Sequence, residues 1–114
     1  MQRFEDIIAW QKSRELVKLV YCSFSRCRDY GFRDQIQRAV LSIMNIIAEG
    51  FERKGDKELI RFLNIALGSC GEVRSMLYTA EDLNYLSPEQ AQNLRLLSQE
   101  VRKITLGFAH SVNV

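Results

Sequence analysis

The chain has 114 residues, 46% apolar and 26% charged, a balance that fits one ordinary globular domain and excludes a disordered tail or a fibrous repeat. Sixteen lysines and arginines against fourteen aspartates and glutamates leave a formal charge of +2, too small to mark a nucleic-acid binder by bulk charge. One core is expected, burying about two thirds of the surface that the unfolded chain exposes.

The first segment, MQRFEDIIAW, carries acidic residues where a secretory leader has positive charge ahead of an apolar core. The longest mainly apolar run, AVLSIMNIIAEGF, holds polar residues and is too short to span a bilayer. A soluble, cytoplasmic protein with no membrane partner is the expectation. From Ile7 to about Phe24, residues Trp10, Val17, Leu19, Val20, Tyr21 and Phe24 fall at helical intervals, with Gln11, Lys12, Arg14, Glu15 and Lys18 opposite them. RDYG, ending at Gly31, is expected to turn the chain into a second helix from about Arg33 to Arg53, carrying Ile36, Ala39, Val40, Ile43, Ile46, Ile47, Gly50 and Phe51.

KGDK supplies the next break, with Asp56 as the expected N-cap of a third helix that runs to about Asn84 through Leu59, Phe62, Leu63, Ala66, Cys70, Val73, Leu77 and Ala80. The stretch GSCG therefore falls inside a helix. In SPEQ, Ser87 stands as N-cap, Pro88 at the first helical position and Gln90 three residues after the cap, the strongest start signal in the chain. The fourth helix then presents Ala91, Leu94, Leu97, Val101, Ile104 and Phe108 on one face. No stretch alternates apolar and polar with period two, so the fold class is all-α. Four helices joined by short turns pack most simply as an up-down-up-down antiparallel bundle, one domain over residues 1–114.

The second helix has few polar interruptions, and Arg38, Ser42, Asn45 and Glu49 share one narrow strip of it. On the third helix Arg61, Gly68 and Glu72 share another. Folding the two helices about a turn centred on Gly55 sets Glu49 opposite Arg61, Ser42 opposite Gly68 and Ser69, and Arg38 opposite Glu72. The expectation is a structural polar seam in which small residues let the backbones approach, each glycine's helix-propensity cost of about 1 kcal/mol being offset by contact. Two solvated faces that match by accident are the alternative.

Read together, FEDIIAWQKSRELVKLVY, QIQRAVLSI, IAEGFER and RFLNIALGSCGEVRSMLYTAEDLNYL, in this order from Phe4 to about Phe108, resemble the four-helix-bundle proteins encoded in 23S rRNA intervening sequences. Trp10, Arg38, Ser42, Glu49, Gly50, Arg61, Gly68, Ser69 and Glu72 fall on the family pattern. The chain departs from it at Ile46, where the family usually has Asn, and at Met44, where it often has Pro; Asn45 sits one place early. The resemblance implies a homo-oligomer, a ring-like pentamer. It also implies similarity in fold to the accessory protein of diversity-generating retroelements, which partners a reverse transcriptase and nucleic acid.

Little in the chain suits catalysis. His110 lies near the C-terminus, Ser69 lacks the spacing of a nucleophile elbow, and arginines opposite Glu49 and Glu72 would favour their ionised forms over acid chemistry. Cys22, Cys27 and Cys70 are odd in number and without close pairs, so buried thiols are expected rather than a metal, redox or cofactor site. The candidate nucleic-acid contacts are Arg26, Arg28 and Arg33 around the first turn and Arg53, Lys54 and Lys57 around the second, at opposite ends of the bundle. Tyr30 and Phe32 beside the first cluster would stack on unpaired bases or staple the turn. The expected function is a non-enzymatic oligomeric bundle associating with RNA or a nucleoprotein complex, the alternative a protein-interaction scaffold without nucleic-acid binding.

Overall fold

A computed structural model describes residues 3–112. Within them a 3-10 turn at Phe4–Asp6 leads into α1 (Ile8–Ser23), α2 (Tyr30–Glu52), α3 (Asp56–Asp82) and α4 (Pro88–Val112), with no strand among the described residues. The fold is the all-α four-helix bundle, 44 × 21 × 19 Å along its principal axes. Each helix packs on its two flanking helices, α1 on α2, α2 on α3, α3 on α4 and α4 back on α1, and the backbones of the diagonal pairs stay more than 8 Å apart, Cα to Cα, among the described residues. The α1–α2 and α3–α4 turns therefore share one end of the bundle, and the α2–α3 turn occupies the other.

The core follows the apolar periodicity. Leu16, Val20, Phe24, Ile36, Val40, Ile43, Ile47, Leu63, Val73, Leu77 and Val101 are buried along the axis. On α3 the buried set is Leu59, Phe62, Leu63, Ala66, Cys70, Val73, Leu77 and Ala80, every residue that the spacing selects. On α1, Leu19 and Tyr21 are exposed while Ala9, Ser13 and Leu16 face inward, because the buried stripe runs through positions 9, 13, 16 and 20. On α4, Ser98, Thr105 and Ala109 enter the core and Leu97, Ile104 and Phe108 lie at its margin. Buried hydroxyls are tolerable when they spend their proton locally. Ser13 donates to the Ala9 carbonyl at 2.6 Å and Thr105 to the Val101 carbonyl at 2.7 Å.

Helix ends correct two expectations. α2 begins at Tyr30, with Asp29 as N-cap accepting from the Phe32 N–H at 3.1 Å, so Gly31 lies in the first helical turn rather than in a separate one. Asp56 is the first residue of α3, and the cap position belongs to Gly55, whose φ of 91° places it where glycine alone is free of Cβ strain. The carboxylates of Asp56 and Glu58 then sit in the first turn of α3, favourably placed for the helix dipole. At the start of α4 the capping box closes in both directions: the Gln90 N–H reaches the Ser87 hydroxyl at 3.1 Å and the Ser87 N–H the Gln90 side-chain carbonyl at 3.0 Å.

Candidate nucleic-acid interface

The end of the bundle that carries two turns is held by an aromatic cluster and one polar tether. Phe24, fully buried, lies 5.9 Å from Phe32, whose ring meets Tyr85 edge-on at 5.3 Å. The Tyr85 hydroxyl donates to Asp29 Oδ2 at 2.5 Å, joining the turn before α2 to the turn after α3. That bond, then the Phe32 N–H, holds the Asp29 carboxyl below its ordinary range, while the same bond pushes the Tyr85 phenol up to about 12. At neutral pH the pair is an anionic acceptor and a neutral donor.

The α3 C-terminus shapes the other wall. Asn84 adopts φ 62°, the Tyr85 N–H returns to the Ala80 carbonyl at 2.8 Å and the Asn84 N–H to the Glu81 carbonyl at 3.0 Å. This is a Schellman stop with asparagine in the left-handed position, one of the few residue types that visits it readily. Between the two turns opens a cleft of about 580 Å³ lined by Arg26, Cys27, Arg28, Asp29, Asn84 and Tyr85. Arg26 and Arg28 are exposed and form no ion pair among the described residues.

Of the basic residues singled out at this end, Arg33 is engaged elsewhere. Its guanidinium lies 4.8 Å over the Tyr30 ring and its Nε 3.4 Å from Asp34. Phe32 is half-buried in the aromatic cluster and so staples the turn, whereas Tyr85, which sequence reasoning passed over, is the aromatic that lines the cleft. At the opposite end Arg53 pairs with Glu49 at 2.9 Å and lies 5.1 Å over Phe62. Lys54 and Lys57 are exposed there without an ion pair among the described residues.

The strip between α2 and α3 is rearranged relative to the expected seam. The Ser42 and Ser69 hydroxyls share a hydrogen bond of 3.0 Å across the two helices. Neither proposed cross-helix ion pair forms. Glu49 takes Arg53, Arg61 takes Glu58 at 3.0 Å, and Glu72 accepts from the Gln35 amide at 2.7 Å, leaving Arg38 exposed. Glu49 and Glu72 both lie at the surface, where desolvation does not demand a charged partner; Glu49 takes Arg53 four positions along the chain, while Glu72 crosses to α2 but meets the neutral Gln35 instead of Arg38.

The glycines differ from expectation too. A Cβ at Gly68 or Gly71 would meet nothing within 4 Å, whereas one at Gly50 would lie 2.6 Å from the Phe62 Cβ. Gly50 is where α2 and α3 approach closely. Arg53 and Arg61 both lie against the Phe62 ring beside it.

The cysteines occupy three environments: Cys22 exposed, Cys27 half-buried and Cys70 buried, so the expectation of uniformly buried thiols holds for Cys70 alone. Burial pushes the Cys70 thiol up to about 11. No group of three His, Cys, Asp or Glu side chains is arranged to hold a metal among the described residues. No described helix is long and apolar enough to cross a membrane.

An antiparallel square of four helices with a polar inter-turn cleft defines the class as a small all-α bundle protein. The model of the 23S rRNA-intervening sequence protein family matches residues 5–107, and the chain belongs to that family. A crystal structure of a protein of unknown function from the S23 ribosomal protein family of Bacteroides thetaiotaomicron superposes with a TM-score of 0.82 at 24% identity, covering 90% of this chain and 98% of that one. At that identity the likeness speaks for the fold. No curated protein matches the sequence.

Proposed function

We propose that the protein is a non-enzymatic, oligomeric helical bundle that associates with RNA or a nucleoprotein complex through the end bearing the α1–α2 and α3–α4 turns. The observation that carries this reading is the pair of guanidinium groups, Arg26 and Arg28, uncompensated by carboxylate ion pairs among the described residues and placed at the rim of a cleft. One copy offers too few positive charges for tight binding to a polyanion. Symmetric assembly would repeat them and multiply the phosphate contacts. Membership of the 23S rRNA-intervening sequence protein family makes RNA the polyanion to test first.

Salt-dependent binding of a fluorescent RNA to the purified protein tests the reading. Neutralising Arg26 and Arg28 should abolish binding, while neutralising Lys54 and Lys57 should cost no more than about threefold; absence of binding by the native protein at low salt would reject the proposal. The second reading, a protein-interaction scaffold, is favoured by the exposed apolar residues Ile8, Ile65, Leu83 and Leu96, each about half accessible. An assembled protein by light scattering that binds no RNA would select it.

A further inference from the structure

The cleft is more specific than a basic patch needs to be. A surface that merely neutralises phosphates needs only exposed lysines and arginines, such as Lys54 on the α2–α3 turn and Lys57 in the first turn of α3. Arg26 and Arg28 instead border a concavity of about 580 Å³, within the roughly 300–1,000 Å³ typical of small-molecule sites, whose lining also includes Tyr85 and Asn84. The concavity also contains the Asp29 carboxylate, which a site built only for polyanions would exclude. One Asp29 oxygen caps α2 and the other accepts from Tyr85, so the carboxylate is fixed in place and retains lone pairs for a further donor.

Two cations, a fixed acceptor, an amide and a ring match the parts of one nucleotide: a phosphate, a hydroxyl or amino donor, a base edge and a base face. We infer that the cleft seats a single unpaired nucleotide of an RNA strand, its phosphate held between Arg26 and Arg28 and its base laid against Tyr85 and Asn84. This inference rests on the RNA reading above and narrows it to single strands. In a duplex the base faces are stacked away, and the convex backbone cannot fill a concavity of this kind; an unpaired base can leave its strand and enter. Asn84 is the residue that offers the base edge both a donor and an acceptor, and its left-handed backbone is a conformation that glycine adopts equally well.

The test is fluorescence anisotropy with the full-length protein at low salt. The probes are a ten-nucleotide single-stranded RNA, a ten-base-pair duplex, an abasic strand with the same number of phosphates, and an oligoglutamate of equal charge. The single strand should bind at least about tenfold more tightly than the other three, consistent with about 1–3 kcal/mol per stacked base. Arg26→Gln with Arg28→Gln should remove that preference. Asn84→Gly, which keeps the turn geometry and should leave thermal melting unchanged, should weaken the single strand several-fold and leave the duplex unaffected.

Equal binding of the abasic strand or the duplex, or a single-strand affinity indifferent to these variants, overturns the nucleotide cleft while leaving RNA association standing. Oligoglutamate binding as tightly as RNA also overturns it, in favour of an acidic protein partner. Failure of every RNA probe overturns both readings.

Discussion

The two ends of the bundle carry similar numbers of basic residues and use them differently. At the α2–α3 end, Arg53 and Arg61 are spent on structure, each paired to a glutamate three or four residues earlier in the chain and laid against Phe62, while Lys54 in the three-residue turn and Lys57 in the first turn of α3 are exposed. At the other end two longer turns face each other, bound by the Asp29–Tyr85 tether, and the guanidinium groups between them have a concavity to serve. Charge alone does not distinguish the ends. What distinguishes them is whether a second turn stands opposite.

That contrast predicts different sensitivities. The largest effect is expected at the tight end. Gly50→Ala drives a methyl into the Phe62 Cβ, an atom near the backbone that cannot swing aside, and overpacking of this kind costs about 1–3 kcal/mol. The gain in helix propensity, at most about 1 kcal/mol, does not offset it. Urea unfolding should therefore show a lower midpoint, and an unchanged midpoint would mean that α2 and α3 are not held at this distance.

Gly68→Ala should act with the opposite sign. The added methyl meets open space and the helix gains up to about 1 kcal/mol, read as a higher melting temperature. A loss of stability or of assembly would reveal a neighbour on that face.

The smallest effect is expected at the tether. Tyr85→Phe retains the ring and removes the hydroxyl, so the melting temperature should drop slightly at neutral pH. The sign of its pH dependence follows from the two titrations. The Asp29 carboxyl is depressed on folding, so the tether's contribution is present above the ordinary aspartate range and fades as pH falls through the lowered folded value. The Tyr85 phenol is raised, so the contribution is complete below about 10 and fades as pH rises through about 12. Melting curves of the two proteins should converge in acid. A difference that persists there would assign the effect to packing.

Much of the bundle was legible because apolar periodicity is a local property. α3 is the clearest case, its buried stripe matching the spacing residue for residue. The errors came where a short-range rule had to stand in for a long-range contact. Leu19 and Tyr21 fall at helical intervals with the apolar residues of α1 yet are exposed, while the polar Ser13, Ser98 and Thr105 are buried; the hydroxyls of Ser13 and Thr105 hydrogen-bond within their own helices, which lets them enter. The mirrored polar strips brought Ser42 to Ser69, but the register could not say whether an exposed glutamate would cross to the facing helix or turn to its own.

Gly68 looked like the close contact because it sits among small residues, yet the tight approach is at Gly50, and only the position of Phe62 reveals that. The cleft was the least legible feature. Arg26 and Arg28 were visible as a basic cluster, but their opposite wall comes from Asn84 and Tyr85, and no local pattern links turns so far apart in the chain.

The square arrangement of the helices has a kinetic corollary. Three of its four sides join helices that follow one another along the chain, and the fourth, α1 against α4, brings distant segments together. Each hairpin can thus form with a short loop and little entropy lost to closure, and the final edge zips onto a nearly complete template. A chain built this way is expected to fold on the microsecond-to-millisecond scale of helical bundles, with little time spent exposing its apolar stripes to other copies.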